Sequence, residues 1–174
     1  NLTRRCNLAC RHCYSDATDR ADGEELSPPE CRDLIDDLAA FGCPVLLFSG
    51  GEPLTRPDLP ELAAYAAERG LRTVISSNGT LIDAAHARAL KQAGVAYVGV
   101  SIDGLEKVHD RFRGRPGAFG QAIEGIRACR EAGLKVGLRY TMTRANAADV
   151  DGVFDLLISE NIPRICFYHL VSTG

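Results

Sequence analysis

Gly70-Leu71-Arg72-Thr73-Val74-Ile75-Ser76-Ser77-Asn78-Gly79-Thr80 holds one full period of a repeating pattern. The glycine closes a helical stretch, Leu59–Arg69. The β-branched run Thr73–Ser76 reads as a strand, and the small polar residues Ser77-Asn78-Gly79-Thr80 as the loop that leaves it. The same order recurs on both sides. Strands are expected at Val45–Phe48, Thr73–Ser76, Tyr97–Ser101, Val136–Tyr140 and Ile165–Leu170. Ser27 is a plausible N-cap before Pro28 and Pro29, opening a helix to about Ala40. Further helices are expected at Leu59–Arg69, Ala84–Ala93, Phe119–Ala132 and Ala148–Glu160, with Gly42, Gly70, Gly94 and Gly133 ending the first four. A βα rhythm of about thirty residues per unit implies parallel strands joined by right-handed crossovers. Counting a stub at Leu2–Thr3 gives six strands. A closed (β/α)8 barrel needs roughly 250 residues, so the expectation is an α/β fold: a partial (β/α)6 TIM-like barrel, open on one side. A doubly wound sheet is the alternative.

The 174 residues, 45% hydrophobic and 25% charged, suit one globular domain with a sizeable core. A formal net charge of -3 and no basic run give no reason to expect nucleic acid as a partner. Apolar stretches such as Val45–Phe48 and Val95–Val100 are too short to span a bilayer, and no secretory signal is visible. No membrane association and a cytoplasmic location are expected. The chain opens at Asn1 and stops at Gly174, which reads as a fragment: one core domain, 1–174, lacking the start of its first strand and any C-terminal region.

Three of the seven cysteines fall together, Cys6, Cys10 and Cys13 in Cys-Asn-Leu-Ala-Cys-Arg-His-Cys. A [4Fe–4S] cluster takes four thiolates, so a C-x3-C-x2-C run with no fourth local cysteine implies an open iron, and with it chemistry rather than electron storage. Cys31, Cys43, Cys129 and Cys166 are scattered through helical and strand patterns and read as packing residues.

In parallel α/β folds the site lies at the carboxyl ends of the strands, and the chemically distinctive residues collect there. Gly50 and Gly51 allow close backbone approach, and Glu52, before Pro53, supplies a carboxylate suited to an ammonium group. Ser77, Asn78, Ser101 and Asp103 offer short polar groups for hydroxyls, although Asn-Gly-Thr and Asp-Gly are also ordinary turns. Arg139, inside an apolar strand, needs an anionic partner, either a ligand carboxylate or a structural salt bridge. A ligand with an ammonium, a carboxylate, ribose hydroxyls and a flat base would use all of these groups.

Cys6, Cys10 and Cys13 followed by Gly50-Gly51-Glu52-Pro53 resemble the radical S-adenosylmethionine (radical SAM) superfamily over essentially the whole chain. The resemblance implies that the three thiolates hold a [4Fe–4S] cluster whose open iron chelates S-adenosylmethionine, and that reductive cleavage yields a 5′-deoxyadenosyl radical. It implies that Glu52 holds the methionine amine, Ser101 and Asn78 serve the ribose region, Arg139 takes the cofactor carboxylate, and His12 lies near the adenine. A flavodoxin- or ferredoxin-type protein would supply the electron.

The opening run Asn1–Ser15 and His109-Asp110-Arg111-Phe112-Arg113-Gly114 look like the SPASM or twitch group, which carries an additional C-terminal cluster domain. Val136–Thr143 and Phe167-Tyr168-His169-Leu170-Val171 are similar to the haem d1 biosynthesis radical SAM proteins. That likeness implies a tetrapyrrole substrate, 12,18-didecarboxysirohaem, with removal of two propionate side chains. Arg111, Arg113 and Arg115 would then meet substrate carboxylates or form an exposed basic loop, and His169 would face substrate or serve structure. A haem-biosynthesis oxidative decarboxylase and a peptide-modifying SPASM enzyme are the alternatives. Outside enzymes, the alternatives are an iron–sulfur electron carrier and a zinc module.

Overall fold

The computed structural model describes residues 1–20 and 25–170. Among these residues five strands, β1 (Val45–Phe48), β2 (Arg72–Ser77), β3 (Tyr97–Ser101), β4 (Val136–Met142) and β5 (Ile165–His169), form one sheet. They lie side by side in chain order, and every neighbouring pair is parallel. A doubly wound sheet changes direction at a switch point. This one never does, and it curls into the expected open half-barrel.

Among the described residues Leu2–Thr3 forms no sixth strand, because its bonds fall past the end of β1 on loop residues. Leu2 N–H donates to Ser49 O at 2.6 Å and Gly51 N–H donates to Thr3 O at 2.8 Å.

Among the described residues six helices cover the outer face: α1 (Pro28–Ala40), α2 (Leu59–Glu68), α3 (Ala84–Gln92), α4 (Glu106–Arg113), α5 (Ala118–Glu131) and α6 (Val150–Ser159). Ser27 and Glu30 form a capping box at the start of α1. Gly42, Gly70, Gly94 and Gly133, just past the ends of α1, α2, α3 and α5, take φ of 82°, 82°, 76° and 73°, the left-handed region where glycine carries no Cβ penalty. The expected start of α6 at Ala148 falls in a short 3-10 turn, Ala147–Asp149. Helix α4 had no apolar stripe to announce it: its two buried residues are His109 and Arg113.

Successive strand residues point to opposite faces. Ile75, Val98, Val100, Leu138 and Tyr140 face the helices and are fully buried with Leu62, Leu90, Ile126 and Val153. Gly99, Ser101, Gly137, Arg139 and Thr141 alternate with them and face the hollow of the half-barrel. Cys31 and Cys129 are buried in this core, where burial pushes the Cys129 thiol up to about 12, while Cys43 and Cys166 are half-buried. No helix among the described residues is long and apolar enough to cross a membrane.

Candidate active site

A cavity of about 440 Å³ opens at the carboxyl ends of the strands, with Cys6, Cys10 and Cys13 on its wall. Each sulfur faces at least one N–H donor. Asn78 Nδ2 lies 3.9 Å from Cys6 Sγ, Arg113 Nη1 3.6 Å from Cys10 Sγ, and the Ala17 backbone nitrogen 3.4 Å from Cys13 Sγ. Such donors favour the thiolate, the form that binds metal. Burial pushes the Cys6 and Cys10 thiols up. At Cys13 burial acts in the same direction, but hydrogen bonds from Ser15 and Ala17 outweigh it and the thiol falls below its ordinary value. Among the described residues no three metal-ligating side chains converge on a single point. Three thiols on the wall of one cavity are a ligand set that would leave one iron of a [4Fe–4S] cluster open.

Gly50 and Gly51 line the cavity, but the backbone they admit is the protein's own. A Cβ on Gly50 would lie 2.3 Å from Thr3 O, and one on Gly51 2.2 Å from Arg5 O. Gly51 N–H and Glu52 N–H donate to those two carbonyls, each at 2.8 Å, so the turn is stitched to the cysteine loop. Pro53 is buried and starts the 3-10 turn Pro53–Thr55.

Glu52 lies under the glycine turn. Its carboxylate is fully buried and accepts from Leu54 N–H at 3.1 Å, Ser77 Oγ at 2.9 Å and Asn78 N–H at 2.7 Å. Burial pushes its pKa up to about 7, against the pull of those hydrogen bonds. Three donors occupy the carboxylate, and Glu52 is not among the residues that line the cavity. Glu52 ties the glycine turn to the end of β2. Ser77 also borders the cavity, but its hydroxyl is engaged with Glu52 and accepts from Gly79 N–H at 2.9 Å.

Asn78 and Ser101 do reach the cavity. Asn78 Nδ2 also donates to Asn7 Oδ1 at 2.9 Å, and Asn7 Nδ2 to Thr80 Oγ1 at 2.8 Å. No motif in the sequence singles out Asn7. Asp103, expected near ribose hydroxyls, is instead fully buried behind the cavity wall. One carboxylate oxygen pairs with Arg113, and the other accepts from Thr141 N–H at 2.9 Å. His12 lines the cavity, its Nε2 3.5 Å from Asp103 Oδ2 and its ring 5.2 Å from that of Phe112; burial lowers its pKa. Asn146 was also missed. Its Nδ2 donates to Asp103 O at 3.1 Å and Thr141 O at 2.8 Å, joining the ends of β3 and β4.

Arg139 reaches the cavity from β4, with its guanidinium carbon 5.0 Å from the centre of the Tyr168 ring. Among the described residues no carboxylate lies within ion-pair distance of it. Its stem packs where Gly99 has no side chain: a Cβ there would meet Arg139 Cδ at 2.8 Å. His169 is exposed and also borders the cavity. The basic-loop reading of Arg111, Arg113 and Arg115 is overturned. Arg111 and Arg113 belong to α4, Arg113 is buried, and Arg115 donates to Asn7 O at 3.4 Å. Arg111 is exposed and away from the cavity. Val171, the last residue of its motif, lies outside the described residues.

The family model of the radical SAM superfamily matches residues 1–157. The chain belongs to the radical SAM superfamily. Chemistry in this superfamily runs on a [4Fe–4S] cluster and S-adenosylmethionine, and the thiols and donors around the cavity fit that pair. The chain is 59% identical over 174 residues to Fe-coproporphyrin III synthase of Methanosarcina barkeri, covering all of this chain and 44% of that protein. It is 41% identical over 174 residues to pre-heme d1 synthase of Dinoroseobacter shibae, covering all of this chain and 43% of that protein. It therefore spans less than half the length of these curated relatives. The structure of Streptococcus suis SuiB bound to S-adenosylmethionine matches with a TM-score of 0.84 at 19% identity, over 99% of this chain and 40% of that one. That likeness is one of fold.

Proposed function

We propose that this radical SAM chain is the core of an enzyme that alters side chains of a propionate-bearing tetrapyrrole. In this reading Cys6, Cys10 and Cys13 would hold the cluster, with S-adenosylmethionine beside it in the same cavity. The observation that carries it is the set of three N–H···S contacts around one cavity, together with an arginine on its wall that has no carboxylate partner among the described residues. When bound, the cluster and cofactor supply one-electron carbon–sulfur cleavage and a 5′-deoxyadenosyl radical. The chain's own residues orient and shield. Arg139 receives the cofactor carboxylate, Asn78 and Ser101 meet the ribose hydroxyls, and His12 offers a flat ring to the adenine. His169, at the exposed rim, faces the substrate.

The tetrapyrrole class rests on the relatives. Haem d1 formation, by propionate removal from 12,18-didecarboxysirohaem, is one course. The relative at 59% identity carries the name Fe-coproporphyrin III synthase, and that higher identity favours an iron-coproporphyrin III product. The electron donor would be a flavodoxin- or ferredoxin-type protein.

The test uses the full-length protein, reconstituted anaerobically with iron and sulfide and given reductant, S-adenosylmethionine and, in separate reactions, 12,18-didecarboxysirohaem or iron-coproporphyrin III. Mass spectrometry follows 5′-deoxyadenosine and the tetrapyrrole. Expected are 5′-deoxyadenosine and a lighter tetrapyrrole whose mass identifies the course, both lost in Cys10→Ala. Cofactor cleavage that leaves both 12,18-didecarboxysirohaem and iron-coproporphyrin III unchanged would remove the tetrapyrrole class in favour of a peptide substrate.

A further inference from the structure

Four consecutive residues at the end of α4 grip the cysteine loop. Arg11 N–H donates to Phe112 O at 3.0 Å, and Arg113 Nη1 to Cys10 Sγ at 3.6 Å. Gly114, with φ of 68°, lies so close to the loop that a Cβ would fall 2.5 Å from Ala9 O. Arg115 Nη1 donates to Asn7 O at 3.4 Å. Of the four, only Arg113 delivers a charge to a sulfur.

Its exposure is 8%, and its second amino group is ion-paired to the fully buried Asp103. Asp103 is in turn fixed to β4 by the Thr141 N–H and approached by His12 Nε2. The direction of the guanidinium is therefore set by a strand rather than by solvent. A cation held at a cluster sulfur, where water cannot screen it, stabilises the electron a cluster takes up, and an N–H···S bond acts in the same direction. The Asp103 carboxylate, one residue further out, opposes both.

We propose that Arg113 is a positioning residue for Cys10 that raises the reduction potential of the cluster, and that Asp103 offsets part of this effect. The inference rests on the assignment of Cys6, Cys10 and Cys13 as the cluster ligands. It gives the Arg-Phe-Arg-Gly-Arg run a role at the cluster, and it makes a low-potential protein donor better able to reduce that cluster.

The experiment is a potentiometric titration, followed by electron paramagnetic resonance, of the reconstituted full-length protein and its Arg113→Gln, Arg113→Lys and Asp103→Asn variants, with iron counted in each. Arg113→Gln is expected to shift the one-electron reduction equilibrium at least tenfold toward the oxidised cluster, 59 mV. Arg113→Lys keeps the charge and shifts it less. Asp103→Asn shifts it the other way, a reversal that general damage to the site would not produce. Potentials in Arg113→Gln and Asp103→Asn that match the native protein, or that move in the same direction, overturn the proposal. If Arg113→Gln binds less iron than the native protein, Arg113→Lys and Asp103→Asn decide, and equal potentials in those two overturn it. A native protein that assembles no cluster, or a Cys10→Ala variant that binds as much iron as the native protein, refutes the ligand assignment instead.

Discussion

The backbone N–H of Asn78 donates to the carboxylate of Glu52 at 2.7 Å, across 26 positions of chain. With the bond from Ser77 Oγ at 2.9 Å, it makes Glu52 the rivet between the Gly-Gly-Glu-Pro turn and the end of β2. Glu52→Ala strands three buried donors. The expected loss is about 3 kcal/mol, with Glu52→Gln, which keeps the volume and one acceptor, losing less. Urea unfolding at about pH 8 checks the order. Equal stability of Glu52→Ala and the native chain would remove the rivet.

His109 carries a pH signature. It is fully buried, and its Nδ1 accepts from the Asp103 N–H at 3.2 Å. Burial, with the Arg113 charge second, pushes the imidazole down to about 4 from its ordinary 6.5. The unfolded chain therefore takes up the proton first, so the stability His109 contributes is complete above about pH 6.5 and is lost as the pH falls toward 4. A His109→Gln variant lacks this loss. Its stability deficit relative to the native chain should shrink by about 3 kcal/mol between pH 7 and pH 4. Glu52, raised to about 7, acts oppositely, costing stability as the pH rises from about 4.5 to 7. The native profile is thus flatter than either group alone would make it. Paired denaturant titrations isolate the histidine, and a pH-independent deficit would refute the assignment.

The glycine turn makes a steric prediction. A Cβ at Gly51 would occupy a point 2.2 Å from Arg5 O and 3.0 Å from the Ala17 Cβ. Neither neighbour is the end of a flexible side chain, so the turn and cysteine loop must separate, breaking the bonds from Gly51 N–H to Thr3 and from Glu52 N–H to Arg5. Gly51→Ala is expected to cost about 3 kcal/mol and to lower iron incorporation on reconstitution. Thermal unfolding and iron analysis read the two effects. Full iron loading would show that the stitch does not position the thiols.

How far these features can be read from sequence depends on how local they are. The strands and five of the six helices follow from short β-branched runs, helical periodicity and closing glycines, all decided within one unit. The cysteine spacing is equally local. Helix α4 escapes the same reading because the residues it buries, His109 and Arg113, are polar, and their burial is stabilised by Asp103, in the loop that precedes the helix, and by Cys10, 103 positions from Arg113. Glu52 and Asp103 look like ligand-binding carboxylates for the same reason. Nothing nearby in the chain reveals that Ser77, Asn78, Arg113 and Thr141 supply their partners. Arg139 was the opposite case, a charge in an apolar strand whose lack of a protein partner was open until the fold placed it.

That arginine gives the sharpest functional prediction. Its guanidinium stacks on Tyr168, 5.0 Å from the ring centre, and borders the cavity without an ion pair among the described residues. Removing it leaves no carboxylate stranded, so Arg139→Met should unfold within a few degrees of the native chain. The cofactor carboxylate would lose a charge-assisted hydrogen bond of about 2 kcal/mol, weakening S-adenosylmethionine binding roughly thirtyfold. Arg139→Lys keeps the charge but not the planar fork or the stacking face, and should fall between the two. Equilibrium dialysis against S-adenosylmethionine with the cluster reconstituted checks the series. Unchanged affinity in Arg139→Met would place the cofactor carboxylate elsewhere and leave Arg139 free for a carboxylate of the substrate.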